Sequence, residues 1–424
     1  MSAPFPNTHL QQAMRADARQ IIESSIQAVL PDQAVRRALQ NRTFPGRVLL
    51  IAAGKAAWRM ADAASQCLGK QITAGVVVTK YGHVQGPISN VTCYEGGHPV
   101  PDQNSFLGTR AALALLRDLT EQDTILFLLS GGGSALFELP LIPSDQLQDI
   151  TNQLLACGAD IVEINIIRKR LSQVKGGRFA QLCAPARVFS VVLSDILGDP
   201  LDMIASGPAC PDRSTCQEAR EIAARYHLCL SGEARQLLDR ETPKALENVE
   251  SHVVGSVREL CTAASSVCRS LGYQPLLLTD LLCCQAREAG SFLASVARSH
   301  SDTAVPLAFL AGGETVVRLT GSGMGGRNQE LALAAAHGIA GLPNVLIFSL
   351  GSDGTDGPTD AAGGIVDGST AGRLAETGLS IRQALDNNDA YHALERTDGL
   401  IITGPTGTNV NDMSVVLIRP NCTQ

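Results

Sequence analysis

Aromatic residues are scarce: 4% of the 424 residues, with a single tryptophan, and the net charge is −7. Nucleic-acid grooves are built from basic patches and aromatic stacking platforms, so a chain short of both is not expected to bind nucleic acid. No apolar run approaches the ~18 residues that span a bilayer, so no membrane partner is expected. The opening stretch MSAPFPNTHLQQAMRADARQ lacks the apolar core of a secretory signal. Twelve cysteines are present, yet no Cys-x-x-Cys pair occurs and only Cys283 and Cys284 adjoin. Without zinc or redox spacing, these are expected to be free thiols in a reducing cytoplasm. Charged residues are also few, at 18%, but hydrophobic content reaches 45%, which excludes a disordered chain.

What the sequence does have is core-forming material for more than one domain. Continuous apolar runs recur, each ending in Gly, Asp, Ser or Glu and followed by an Ala/Leu-rich amphipathic segment. They are VLLIAAGK (48–55), AGVVVTKYGH (74–83), TILFLLSGGGS (124–134), RVFSVVLSD (187–195), HVVGS (252–256), QPLLLTD (274–280), PLAFLAGGE (306–314) and NVLIFSLGSDG (344–354). Runs that do not alternate belong to strands buried on both faces, and their alternation with helices predicts parallel α/β layers. The polar stretch 230–252 places a domain boundary near residue 245. The expected architecture is two Rossmann-like α/β/α domains, 1–245 and 246–424, with mostly parallel sheets facing a cleft.

In such sheets ligands bind at the carboxyl ends of the strands. Here those ends carry Lys55, the loop Ser130-Gly131-Gly132-Gly133-Ser134, Asp195, Glu314 and Asp353. Three consecutive glycines exceed what a tight turn needs; a Gly-rich strand-to-helix loop lets backbone amides surround an anion. Lys55 opens a helix, where a cation is unfavourable unless an anion offsets it. The basic segment EINIIRKRLSQVKGGRFA, with Arg168, Lys169, Arg170, Lys175 and Arg178, reads either as a solvated face or as a phosphate contact. Gly321 to Gly326 fits Gly-x-Gly-x-x-Gly, but Arg327 follows directly and suits a phosphoryl group better than a bare pyrophosphate. Asp353, Asp356 and Asp360 lie among glycines out of EF-hand register, and sparse carboxylates beside phosphate suit Mg²⁺. In ITGPTGTNVNDM, residues Thr403, Thr406, Thr408 and Asn409 are either ligand donors or turn caps.

Taken together, GKAAWRMA, EGGHPVPDQNS, LLSGGGSAL, INIIRKRLSQVKGGR, LSDILGDPLDMIASGP, GGETVV, GGRNQELALA, SDGTDGPTDAAG and TGPTGTNVNDM span residues 54 to 413. In these segments the chain resembles the type II, MOFRL-domain glycerate 2-kinases, including members linked to tartrate breakdown and some labelled hydroxypyruvate reductases. It departs from that pattern at Arg170, where His is expected, and at Ala209, where Thr is. The resemblance implies ATP-dependent phosphorylation of D-glycerate at its 2-hydroxyl, with Mg²⁺. It implies Lys55 and Arg327 as essential cations from the two domains. Asp195 or an aspartate of the 353–360 loop takes the hydroxyl proton or holds the metal, with Asp353 and Asp356 as metal candidates. The Ser130–Ser134 loop holds either the glycerate carboxylate or a nucleotide phosphate. Lys175, Glu314, Gly325, Asn328, Thr408 and Asn409 complete the expected binding set. A homodimer is compatible with this reading. The rival class is an NAD(P)H-dependent hydroxypyruvate reductase, supported by the glycine pattern at 321–326.

Overall fold

The computed structural model describes residues 8–421. Within them lie two six-stranded sheets. The first contains β1 (Val48–Ala53), β2 (Ile72–Lys80), β3 (Val91–Gly96), β4 (Thr124–Leu129), β5 (Arg187–Leu193) and β6 (Val249–Gly255). Their spatial order is β3-β2-β1-β4-β5-β6, and β3 through β5 are joined by parallel ladders. Both β1 and β4 are buried along their whole length, as their unbroken apolar runs require when helices cover both faces. Chain order reverses between β1 and β4. That point is where a doubly wound sheet opens a crevice at its carboxyl edge. Phe127, Phe137 and Phe179 pack beside it, with ring centroids 4.6–5.5 Å apart.

The second sheet contains β7 (Gln274–Leu282), β8 (Leu307–Gly313), β9 (Val345–Gly351), β10 (Gly363–Asp367), β11 (Leu400–Ile401) and β12 (Asp412–Ile418), ordered β11-β10-β9-β12-β8-β7. Strands β7, β8, β9 and β11 share one direction, whereas β10 and β12 run against it. The predominance of one direction matches expectation, but the neighbours differ from it: β7–β8 is the parallel ladder here, and β12 is antiparallel on both sides. An apolar run such as that of β12, buried throughout, reports burial and not direction. The reversal has a consequence for the site. Asp412, the first residue of β12, lies opposite Gly313 and Gly351, the last residues of β8 and β9.

The chain divides into two compact units, Pro31–Val254 and a second made of the segment up to Leu30 with Gly255 onward. The expected division at 245 differs at both ends. The strand expected to open the C-terminal domain is β6, which completes the first sheet. The helix Thr8–Ala28 belongs with the C-terminal half. Arg15 donates to Asp367 at 2.8 Å, and Asp17 accepts from Tyr273 and Arg419 at 2.7 Å each. An amphipathic helix shows a face to be covered but not which partner covers it. No helix among the described residues is long and apolar enough to cross a membrane.

Candidate active site

In the Pro31–Val254 unit the two strand ends at the switch point are tied together. The Lys55 amide donates to Gly131 O at 2.8 Å, Ser130 N to Ala53 O at 3.0 Å, and Ala56 N to Ser130 Oγ at 3.0 Å. Ser130 is therefore buried and structural. The three glycines have separate reasons. Gly132 takes a φ of +83°, which a side chain makes costly, and a Cβ there would press on the His98 ring at 3.0 Å and Lys55 Cγ at 3.2 Å. A Cβ on Gly131 would overlap the Asp195 carboxylate, and one on Gly133 would stand 2.7 Å from Ala205 Cβ.

The result is a loop with open amides. The N–H groups of Gly131, Gly132 and Ser134 have no hydrogen-bond partner among the described residues. Lys55 is partly exposed, and its Nζ pairs with no carboxylate among them. Beside the loop stand Asp195 at Gly131 and His98 at Gly132. Burial first, then Lys55, Lys80 and His83, push the His98 pKa below the usual histidine value, so its ring is neutral near pH 7. His98 was missed as a site residue. It lay in the quoted segment EGGHPVPDQNS, but nothing local to that segment points it at Gly132.

The basic segment after this loop corrects both readings offered for it. Its cations turn inward. Lys175 is completely buried, donating to Ser134 O at 2.8 Å and Phe137 O at 3.2 Å beside Glu138; it has no exposed surface for a ligand. Lys169 and Arg170 face Asp212, and Arg178 donates to the carbonyls of Lys169, Arg170 and Ser172. A buried charge needs a partner, and those partners, Glu138 and Asp212, are remote in sequence.

In the other unit the strand ends gather acids around one cation. Arg327 opens the helix Arg327–Gly338. Its Nε and Nη2 form a fork on the two Asp412 oxygens, and its Nη1 lies 3.2 Å from Glu314. Burial disfavours its charge, but Asp412 and Glu314 outweigh this and raise its pKa. The sequence reading missed Asp412, because a carboxylate that begins a strand reaches this edge only if the strand runs backwards. Asn411 donates to Glu314 at 3.3 Å.

Asp356 caps the same helix. Its carboxylate accepts from the amides of Asn328 at 3.1 Å and Gln329 at 2.9 Å. Burial raises its pKa to about 6, against these hydrogen bonds. With its oxygens engaged by amides, it does not fit the metal role expected of it. Asn328 is buried, bonded to Asp356 and to Ser349 at 2.6 Å. Thr408 donates to Val29 O at 2.9 Å, and the exposed Asn409 accepts from the Asn411 amide at 3.3 Å. Gly325 lies against the backbone of Ala390 and Tyr391. Asp353 is partly exposed, and one of its oxygens accepts from Thr355 N at 3.0 Å.

Among the described residues no three His, Cys, Asp or Glu side chains form a metal-binding group. Mg²⁺ held against phosphates takes only one or two protein carboxylates, and Asp353 fits that role where Asp356 does not. The dinucleotide pattern fits poorly. Gly321 to Gly326 lies within a loop rather than directly after a strand, and side chains at Gly321 and Gly323 would overlap the backbone of Asn387 and Asp389. These glycines serve close chain packing.

The fold is that of a doubly wound α/β protein whose switch point carries open amides beside a lysine with no carboxylate partner among the described residues. Comparison with known proteins makes that class specific. Residues 17–239 match a family described as a domain of unknown function, DUF4147, and residues 307–412 match the MOFRL family. D-glycerate 2-kinase of Thermotoga maritima is 52% identical, over 96% of this chain and 99% of its own. Glycerate 2-kinase of Pyrococcus horikoshii is 37% identical, over 94% and 96%. A protein of Agrobacterium vitis, 39% identical over 88% of this chain and all of its own, has hydroxypyruvate reductase in its name. The crystal structure of the Thermotoga maritima glycerate kinase superposes with a TM-score of 0.92, covering 96% of this chain and 100% of that one. The chain belongs to the glycerate 2-kinase family that carries the MOFRL domain.

Proposed function

We propose that this chain transfers the terminal phosphoryl group of ATP to the 2-hydroxyl of D-glycerate, giving 2-phosphoglycerate and ADP. The observation that carries the reading is the unpaired Lys55 beside the open amides of Gly131, Gly132 and Ser134. Phosphoryl transfer is mainly positioning and neutralisation of charge on the moving group. Preorganised amides and a fixed cation do this without reorganising at the moment of reaction. Asp195 and neutral His98 flank the loop and are the candidates to take the hydroxyl proton. Arg327, oriented by Asp412 and Glu314, supplies the second cation. Asp353 is the carboxylate to hold Mg²⁺, which when bound offsets phosphate charge. A cytoplasmic setting agrees with free cysteines throughout the described residues.

An ADP-release assay with D-glycerate, run with and without Mg²⁺, tests this, with phosphorus NMR of the product. Metal-dependent release and a 2-phosphate signal are expected. No release, or a 3-phosphate signal, overturns the reading. NADH oxidation with hydroxypyruvate would restore the reductase.

A further inference from the structure

Behind the glycine loop lies a largely buried group of charges that meets the loop at Ser134. Lys175 Nζ stands 2.9 Å from Glu138 Oε2, and both side chains are fully buried. Arg168 Nη2 lies 4.0 Å from the same oxygen. The other Glu138 oxygen accepts from the Leu139 amide at 2.9 Å. Both cations donate to one carbonyl, that of Ser134, at 2.8 Å from Lys175 and 3.1 Å from Arg168. Ser134 is also one of the residues whose amide is open. Arg168 Nε is buried with no hydrogen-bond partner.

Charge in this group does not balance: two cations face one carboxylate. In the neighbouring group the ion pairs set Lys169, Arg170 and Lys244 against Asp202, Asp212 and Glu241. A surplus buried charge is costly unless something compensates it. The surrounding backbone is held firmly despite strain. Ala205 and Ser206 have φ of +51° and +61°, values unfavourable for residues with a side chain. The carbonyls of Ser206 and Gly207 accept from Gly176 at 3.0 Å and Gly177 at 2.7 Å, directly after Lys175. Ser206 Oγ is 3.3 Å from Ser134 Oγ and donates to Asn165 at 2.8 Å.

We propose that Lys175 and Arg168 are positioning residues that fix the loop and keep one uncompensated positive charge behind it, and that Glu138 limits that charge. The loop then binds an anion more tightly than its amides alone would, and the bound anion supplies the missing compensation. The inference rests on the reading of this loop as an anion site.

Calorimetric titration of the full chain with D-glycerate and, separately, with ADP tests it. For whichever anion the loop holds, Lys175→Met is expected to weaken binding by about tenfold or more, and Glu138→Gln to strengthen it by about threefold or more. Loss of packing alone would weaken binding in both variants, so the opposite signs identify the electrostatic role. Weakened or unchanged binding in Glu138→Gln overturns the proposal, as does unchanged binding in Lys175→Met. Should Lys175→Met fail to fold, Arg168→Gln takes its place with the same expected loss. Wild-type protein that binds neither titrant overturns the loop reading together with this inference. Wild-type protein that binds and turns over, with Glu138→Gln weakened, overturns this inference alone.

Discussion

The two strand-end sites solve opposite problems. At the Lys55 end the amides are open and the cation is bare. At the Arg327 end the helix amides are capped by Asp356 and the cation is gripped by Asp412 and Glu314. The first end lacks an anion; the second already contains its own. A site prepared for an anionic group leaves donors unsatisfied until that group arrives. A site that must orient a guanidinium surrounds it with carboxylates. The difference teaches that the two cations, alike in the sequence as residues following glycines, have different dependence on the fold.

Replacing each cation separates them most strongly. On the proposed function, Lys55→Ala removes a charge that neutralises the moving phosphoryl group and that pairs with no carboxylate among the described residues, so kcat should fall on the order of 10²-fold or more. Stability should change by less than about 0.5 kcal/mol. Arg327→Ala should lose activity on the same scale and also about 2 kcal/mol of stability, because it strands the buried Asp412 carboxylate. Adding Asp412→Asn to that variant should restore stability and leave activity low. Turnover and denaturant midpoints of the three proteins check this. Equal stability losses at Lys55 and Arg327 would erase the distinction.

The loop itself gives the next effect in size. Gly132→Ala places a Cβ at positive φ beside His98 and Lys55. It is expected to lose about 1 kcal/mol of stability and to raise KM for one substrate more than it lowers kcat. A variant with unchanged KM for both substrates would show that the open amides are not a binding surface.

All eight strands expected from apolar runs are present; two-sided burial accounts for the unbroken signature of the central ones, whereas β6 and β7 at the sheet edges are largely uncovered. The strand β12 was not among those runs, and Asp412 was lost with it. The strand-end glycines coincide with a strand-to-helix loop where neighbouring groups approach the backbone closely. Charge was the least legible feature. Lys175, Arg170 and Lys169 were read as a solvated face or a phosphate contact because charged residues are usually exposed. Their partners Glu138 and Asp212 come from other elements, and only the folded chain brings them together. Asp356 was expected at a metal and instead caps a helix. A carboxylate in a Gly-rich turn serves a metal or a helix end with the same local sequence.

The smallest effect concerns that cap. Burial raises the Asp356 carboxyl from 3.8 to about 6, against the pull of the Asn328 and Gln329 amides. Between those values the folded chain keeps a proton that the unfolded chain has released. Stability from this group is therefore greatest below pH 4 and declines as pH rises through 6. Asp356→Asn cannot ionise. Its cap is weaker, since only one side-chain atom still accepts, but its contribution is constant with pH. The difference in denaturant midpoint between wild type and Asp356→Asn should therefore shift in favour of the variant as pH rises from 4 to 7. A difference that stays level across that range would mean that the carboxylate is already ionised at pH 4, with its hydrogen bonds to the helix amides outweighing burial.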